Sequence, residues 1–374
     1  MKTFITKRRI LSSLTISALL ICCVAIIYRH RQGREVARVN YPHDGMKSFP
    51  TAIVADRDGN IYLAAQGENR VLKFSIARHA VVVAGNGRMG FSGDGGPADE
   101  ASMASPVSIA LDTAGNLFIA DTGNNRIRRV DAETNTITTV AGDGSMGSRV
   151  DSIATSTGLY QPISIAVDSD GNTYIGGTNS VGIRRVDAIT RISSKIIGSG
   201  MPGEPWINSP ATGPFWIAIG EHGSLFFSDP SRNNVSMVTA PEGDVRPIAG
   251  SAVCGFAGDG GPSIGALLCF PESLSVNGNR ELFIADTGNN RIRRIDLSTG
   301  IITSVAGNGH PGYAGDGGVA VNASLNGPMG VTIDRNGYVY IADTGNNCIR
   351  RLDTRTGLIT TWAGPRDLEV LTSK

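Results

Sequence analysis

Residues 105–142 read SPVSIALDTAGNLFIADTGNNRIRRVDAETNTITTVAG, and this text decides the fold because the chain repeats it. Six copies can be recognised, three of them close and three weaker, at 49–85, 105–142, 161–198, 213–250, 270–307 and 327–364. Aligned on the position of Asp121, successive copies are separated by 56, 56, 52, 57 and 57 residues. Self-similarity at a nearly fixed period indicates a repeat architecture. The copies fill 49–365 and leave no room for another domain.

Each copy contains four short apolar runs separated by turn residues, which is typical of antiparallel strands. In the second copy these runs are 107–111, 117–120, 126–130 and 136–141. Gly-Asn pairs follow the first run, and Asp-Thr-Gly-Asn-Asn follows the second, because Gly and Asn tolerate the positive φ of tight turns. Six units of four strands predict an all-β, six-bladed β-propeller, a fold whose radial closure leaves few sheet edges exposed.

The repeat closely resembles the NHL-repeat family. The phrase that carries the resemblance is IADTGNNRIRR at 119–129 and 284–294, with IADTGNNCIRR at 341–351, and each is followed by a strand such as ITTVAG. The resemblance covers most of the chain and implies a six-bladed propeller. NHL propellers serve as lyases, as protein- or RNA-binding modules and as extracellular sensor domains, so the fold does not fix the activity.

The charge of the chain is distributed unevenly. The chain has 34 Lys and Arg against 33 Asp and Glu, but the first 34 residues hold seven basic side chains and no acidic one. The remainder has 27 basic and 33 acidic residues, a net charge of −6. Nucleic-acid binding depends on neutralising phosphates with Lys and Arg, so we predict no nucleic-acid partner. The arginines of the RIRR strands are expected to pair internally, with Asp131, Asp296, Asp353 or the turn aspartates.

The basic arm contains an uncharged run of 19 residues at 10–28. As a helix it would span close to the ~30 Å of a bilayer core. A cleaved signal peptide is the alternative, and we favour an uncleaved anchor because the run continues past the weak site at Ala25. We therefore predict a single-pass membrane protein with its propeller outside the cytoplasm, or a secreted protein if the signal is cleaved. The predicted organisation is a cytoplasmic stub and signal-anchor helix at 1–32, a linker at 33–48, the propeller at 49–365 and a tail at 366–374.

Strand alternation assigns the connections to two faces. The first and third turns of a blade share one face, and the second turn shares the other with the long connections between blades. Those connections, such as 85–106 and 307–328, are rich in glycine. Long loops on a rigid scaffold commonly carry binding sites, so we expect any site on this long-loop face.

Two motifs resemble nucleotide-binding or catalytic motifs, and we interpret the recurring GxGxxG as architectural and GxSxG as a chance match. GxGxxG follows a strand at several blade junctions, whereas a dinucleotide site needs one copy that opens a helix. The stretch 261–265 matches GxSxG without the strand–turn–helix context of a nucleophile.

The GDGG loops place Asp94, Asp259 and Asp316 on the long-loop face. These carboxylates suit Ca²⁺, which takes about six to eight oxygens. The alternative, which we favour, is that each Asp accepts backbone hydrogen bonds within its own turn. No other cofactor is predicted.

The resemblance to the NHL-repeat family also implies which residues a propeller lyase would need. Propeller lyases of this kind use several His residues and a metal at the central channel. The chain has five His, and only His310 falls on the long-loop face. One imidazole cannot form a three-His metal site. An enzyme, if there is one, would be a metal-dependent lyase or hydrolase with channel carboxylates, and we favour a protein that is not an enzyme.

Three further features remain open. Cys254 and Cys269 can close one long loop in an oxidising compartment. Trp206, Phe215 and Trp216 cluster where the third copy passes to the fourth, either as an apolar platform for a ligand or as filling of a shortened repeat. Blade six closes on blade one directly or borrows a strand from 36–41. The sequence thus predicts a membrane-anchored module that binds a protein, peptide or glycan through its long-loop face, with Trp206, Phe215, Trp216 and His310 as the candidate ligand-binding residues.

Overall fold

A computed structural model describes residues 49–147, 151–177, 182–197, 216–238, 245–365 and 367. Within them the chain forms six antiparallel sheets, each built from four strands that are consecutive in sequence. A short additional strand lies at the outer edge of the third sheet. The fold is therefore the predicted all-β, six-bladed propeller with four-stranded blades.

The first three blades contain thirteen of the strands. They are β1 Pro50–Ala55, β2 Ile61–Ala65, β3 Arg70–Phe74 and β4 Ala80–Ala84 in blade one; β5 Pro106–Leu111, β6 Leu117–Asp121, β7 Arg126–Val130 and β8 Ile137–Ala141 in blade two; and β9 Ser152–Ile153, β10 Pro162–Val167, β11 Thr173–Gly177, β12 Ile183–Val186 and β13 Ile192–Ile197 in blade three.

The last three blades contain twelve strands. They are β14 Trp216–Ile219, β15 Leu225–Asp229, β16 Asn234–Val238 and β17 Val245–Gly250 in blade four; β18 Pro271–Asn277, β19 Glu281–Asp286, β20 Arg291–Asp296 and β21 Ile301–Ala306 in blade five; and β22 Gly330–Ile333, β23 Tyr338–Asp343, β24 Cys348–Asp353 and β25 Leu358–Ala363 in blade six.

The apolar core lies between blades. Six clusters of buried side chains each join two neighbouring blades. Strand β6 shows why the apolar runs are continuous: Leu117 and Ile119 pack toward blade one, whereas Phe118 and Ala120 pack toward blade three. Successive side chains of a strand point to opposite faces, so a strand buried on both faces is apolar throughout.

Blade six packs directly on blade one. The Trp362 ring lies 5.5 Å from the Phe74 ring and 5.4 Å from the Tyr340 ring, both in edge-on geometry. The Thr344 hydroxyl donates to the Pro50 carbonyl at 2.7 Å. Each of these blades is complete with four consecutive strands, and the segment 36–41 lies outside the described residues.

The predicted membrane span at 10–28 also lies outside the described residues. In the part of the chain that the structure describes, there is no helix of the length and apolarity that crossing a membrane requires.

Candidate functional site

The second turns and the inter-blade loops share one face, as predicted. The Asn124 side chain donates to the Gly90 carbonyl of the preceding loop at 2.7 Å, and Asn289 and Asn346 make the equivalent bonds in blades five and six. On the opposite face the first and third turns meet, because the Ala132 N–H donates to the Asn116 side chain at 3.0 Å. The long-loop face is therefore a defined surface of the propeller.

The DTGNN motif on this face is structural. Asp121 accepts a hydrogen bond from the Ala104 N–H at 2.7 Å and another from the Asn124 side chain at 2.8 Å. The Thr122 hydroxyl donates to the Pro162 carbonyl of the next blade at 2.6 Å. Asp286 and Asp343 repeat the pattern. The motif thus fixes its own turn, the preceding loop and the following blade.

Among the described residues, a hydroxyl group connects one blade to the next at five of the six junctions, all except that of blade three with blade four. The bonds run from Thr344 to Pro50, Thr51 to Val107, Thr122 to Pro162, Ser228 to Glu272 and Thr287 to Pro328, over 2.6–3.0 Å. In blades one and four, where the motif lacks its Thr, the bond comes from Thr51 on the innermost strand and from Ser228, the residue before Asp229. These bonds form a ring of cross-links at the start of the innermost strands.

The GDGG aspartates bind buried arginines. Asp94 accepts two hydrogen bonds from Arg128, at 2.6 and 3.0 Å, and a third from the Thr139 N–H at 3.0 Å. Arg128 is fully buried and also lies 3.8 Å from Asp121. Arg293 and Arg350 are equally buried and are bound by the other two predicted Ca²⁺ ligands, Asp259 at 2.6 Å and Asp316 at 2.8 Å.

The pairs of GDGG aspartates with buried arginines bear on the predicted Ca²⁺ site. Each carboxylate already has a guanidinium and, for Asp94, a strand N–H as partners, so a cation would compete with a buried arginine. Among the described residues, no three His, Cys, Asp or Glu side chains gather where they could hold a metal ion. The predicted internal pairing of the RIRR arginines is confirmed in part: Arg129 also pairs with Asp131, at 3.0 Å. The other two predicted partners differ, because Arg294 pairs with Glu281 and Asp353 pairs with Arg355.

Burial controls the ionisation of the turn aspartates. Desolvation raises the pKa of Asp121 to about 6, against the hydrogen bonds from Asn124 and Ala104 and the charge of Arg128. The pKa values of Asp286 and Asp343 are raised to about 6 for the same reason. Even a nearby guanidinium does not restore the solvation that a carboxylate loses in the interior.

Aromatic rings project from the long-loop face beside the aspartate–arginine pairs. Phe91, two residues before GDGG, lies with its ring centroid 3.8 Å from the Arg126 guanidinium and remains 42% exposed. Phe256 stacks in the same way on Arg291 at 3.7 Å and is 41% exposed. Tyr313 occupies the equivalent position in the next loop and is 55% exposed. Our sequence reasoning missed these residues, although the repeated phrases GFSGDGG, GFAGDGG and GYAGDGG contain the signal.

The predicted ligand residues do not come together in one described site. Trp216 lies in β14 and is only 5% exposed. His310 is exposed, and its backbone N–H donates to Asn308 at 2.9 Å. Trp206 and Phe215 lie outside the described residues. The apolar platform stays a prediction, and Trp216 does not present its ring at the surface.

The three cysteines in the described ranges fall into two groups. Cys254 and Cys269, 15 residues apart, form a disulfide across the loop between blades four and five. The backbone N–H of Cys269 also donates to Asp286 at 2.8 Å, so the loop is held to blade five. Cys348 is buried, and desolvation raises the pKa of its thiol far above the ordinary value.

Six blades closed by inter-blade cores define a six-bladed β-propeller. The sequence pattern of the NHL repeat matches residues 103–130 and 268–295, and that of the teneurin NHL domain matches residues 300–373. The chain therefore carries NHL repeats.

Similar proteins agree with this assignment. The chain is 28% identical to NHL repeat-containing protein 2 of Homo sapiens over 87% of the chain and 41% of that protein. It is 29% identical to Teneurin-1 of Mus musculus over 63% of the chain and 10% of that protein. The chain thus spans less than half the length of these relatives.

Solved structures share the fold at low identity. A protein of unknown function from Bacteroides thetaiotaomicron superposes with a TM-score of 0.60 at 17% identity, over 81% of this chain and 69% of that one. A streptogramin B lyase superposes with a TM-score of 0.50 at 15% identity, over 85% of this chain and 83% of the other. At such identities the likeness concerns the fold alone.

Proposed function

We propose that this propeller is a protein-binding scaffold whose partner docks on the long-loop face. The observation that carries the proposal is the set of exposed rings of Phe91, Phe256 and Tyr313, which occupy equivalent positions in three loops. Phe91 and Phe256 stand on arginines whose own guanidinium groups are hydrogen-bonded to carbonyls. Aromatic side chains held rigidly at a surface supply much contact area for little loss of conformational entropy, and they dominate protein interfaces.

Further apolar side chains extend this surface. Met89, Met146 and Val253 are exposed on the same set of loops. Clusters of apolar side chains that are exposed to solvent commonly mark interaction sites. Peptides and glycans also stack on aromatic rings, so they remain alternative ligands of the same surface.

Site-specific photo-crosslinking tests the proposal. The cross-linking amino acid is placed at position 91 or 256, and in separate control variants at Ile76 or Ile189, which are exposed apolar residues in third turns on the opposite face. Cross-linking in intact cells should give a discrete protein adduct from positions 91 and 256 only. Adducts of equal yield from both faces, or none from the long-loop face, would contradict the proposal.

We further propose that the scaffold is tethered to a membrane by 10–28 and lies outside the cytoplasm. The uncharged run at 10–28, flanked by basic side chains, supports the tether. The Cys254–Cys269 disulfide supports the compartment, because disulfides persist in oxidising surroundings. In oriented membrane vesicles, protease should digest the propeller only from the non-cytoplasmic side, and the protein should stay in the membrane pellet after a high-salt wash. Release by salt, or digestion from the cytoplasmic side, would contradict this assignment.

A further inference from the structure

The innermost strands carry a single charged side chain among their described residues. These strands are β1, β5, β10, β14, β18 and β22, which contact one another in turn around the central channel of the propeller. The charged residue is Glu272 in β18. At the same position of four other blades, directly after a proline, the chain has the uncharged residues Thr51, Val107, Ile163 and Met329. Glu272 is therefore a departure from the repeat.

The Glu272 side chain faces the channel. Its strand is paired with β19 at one edge and packed by β14 and β22 on its two faces, so the channel is the space to which a residue of β18 can be exposed. Glu272 is partly exposed, whereas Thr51 and Val107 are fully buried. Because β18 begins where the long loop 251–270 ends, Glu272 lies at the end of the channel nearest the long-loop face.

The carboxylate of Glu272 differs from its neighbours in how it is paired. Its Oε2 is buried and accepts no hydrogen bond from the described residues. The strands β14 and β22 carry no charged side chain. Within the described ranges, each carboxylate on the other strands packed against β18 has an arginine partner: Asp229 with Arg232 at 3.8 Å, Glu281 with Arg294 at 3.1 Å, and Asp286 with Arg293 at 3.4 Å.

A desolvated carboxylate of this kind favours a cationic ligand that supplies its own hydrogen-bond donors. Desolvation raises the pKa of Glu272 to about 8, and no neighbouring charge opposes it. A primary ammonium group brings a positive charge and three donors, which together replace the lost solvation. A metal ion fits less well, because no group of three His, Cys, Asp or Glu side chains in the described ranges could hold one.

We propose that Glu272 binds a primary alkylammonium group that enters the central channel from the long-loop face. The group belongs either to a small amine or to a lysine side chain of a docked protein, and the second source rests on the protein-binding role proposed above. An ion pair requires the ionised carboxylate. Binding at neutral pH therefore transfers the Glu272 proton to the solvent, while the ammonium group keeps its own.

Isothermal titration calorimetry of the full chain with butylammonium chloride tests the site. Butylammonium has the four-carbon stem of lysine and should bind saturably, whereas butanol has the same stem without the charge and should not. Glu272→Gln should weaken binding at least tenfold. The matched control is Glu281→Gln, at the opposite end of the same sheet, which should leave binding unchanged because that carboxylate is already paired with Arg294. Thermal unfolding checks that both variants fold.

Proton release separates an ion pair at Glu272 from a structural role of this residue. At pH 7, titrations in buffers of different ionisation enthalpy should show release of about one proton per butylammonium bound, because Glu272 is protonated in the free chain. At pH 9 the release should disappear and the affinity should be about tenfold higher, since the carboxyl group is already ionised. The proposal is overturned by the absence of saturable binding, by equal binding of butanol, by unchanged binding to Glu272→Gln, or by binding at pH 7 without proton release.

Photo-crosslinking from position 91 identifies the source of the amine. If a lysine of the protein partner occupies the site, Glu272→Gln should lower the yield of the adduct at least tenfold. If a small amine occupies it, the yield should not change. The calorimetric titration needs no partner, so a failure of the cross-linking experiment would contradict the protein-binding role and not the ammonium site.

Discussion

Arg128 shows how single residues hold this propeller together. It is fully buried and is shared between Asp94 of the preceding loop and Asp121 of its own blade, so one guanidinium fixes both the loop and the turn. A buried ion pair stabilises a protein little more than apolar side chains in place of both partners would. Removal of one partner alone is costly, because it leaves the other charge buried and uncompensated.

Arg128→Leu should therefore lower the free energy of unfolding by about 3–5 kcal/mol, because the buried Asp121 would lose its ion-pair partner. Urea denaturation followed by circular dichroism measures the change. The matched control is Arg129→Leu, since Arg129 and Asp131 are partly exposed and their pair contributes at most about 1 kcal/mol. Equal effects of the two substitutions would show that the buried pair has no special role.

Glu272 is a second residue with a measurable signature. Desolvation raises its pKa from 4.5 to about 8, and one of its carboxyl oxygens is buried without a hydrogen-bond partner. The folded protein therefore holds a proton that the unfolded chain releases, so stability should fall as the pH rises from 4.5 to 8. Asp121, Asp286 and Asp343 act in the same direction, but only up to about pH 6.

Glu272→Gln should abolish the decline in stability between pH 6 and 8. In the native sequence that decline approaches about 1.4 kcal/mol per pH unit in the part of this range where only the unfolded chain is ionised. Thermal or urea unfolding at half-unit pH steps measures both profiles. A profile that keeps its slope in the variant would assign the decline to another group.

At the scale of elements, the loop between blades four and five is constrained by a covalent cross-link. Its disulfide closes 15 residues and its Cys269 N–H is bound by Asp286. Replacing both cysteines by serine should lower the free energy of unfolding by about 3 kcal/mol, chiefly because the unfolded chain regains freedom. The reduced native protein should match the double variant in denaturation midpoint. A native protein whose midpoint is insensitive to reductant would show that the loop is held without the disulfide.

The strands were largely predictable from the sequence, because each ends at a turn with a recognisable signal. In the second copy, the predicted run 117–120 became Leu117–Asp121 and the run 136–141 became Ile137–Ala141. The pairing of the inter-blade loops with the outermost strands was not predictable. In blades two, five and six, backbone bonds from GDGG glycines reach the outermost strand of the following blade, such as Gly95 to Ile137. The sequence shows the repeated GDGG but not which strand it pairs with.

The candidate site was predicted less well than the fold. The repeated aspartates of GDGG suggested a binding role. The exposed apolar surface is instead formed by the aromatic residue two positions before GDGG. Trp216 was predicted either to belong to an apolar platform or to fill a shortened repeat, and its ring is buried in a strand packed between blades. A rare residue in a repeat can fill a gap as well as bind a ligand, and only coordinates separate the two roles.

At the scale of the whole molecule, closure depends on the junction of blade six with blade one. Trp362→Ala should lower the free energy of unfolding by about 3–5 kcal/mol, because the ring fills the space between Phe74 and Tyr340 and a cavity would remain. Differential scanning calorimetry measures the loss. A single cooperative transition at lower temperature is expected, whereas two separate transitions would show that the blades on either side of the junction unfold independently.

The bond between Thr344 and Pro50 spans 294 residues of sequence. At a synthesis rate of about 5–20 residues per second, roughly 15–60 seconds pass between the synthesis of Pro50 and that of Thr344. Blade six, which covers the second face of blade one, is incomplete during that interval. During that interval Leu63 and Phe74, which are buried against blade six in the finished fold, have no partner. Newly made chains are therefore most exposed to chaperones and proteases before the last blade emerges, and truncations within blade six should be cleared far faster than point variants elsewhere.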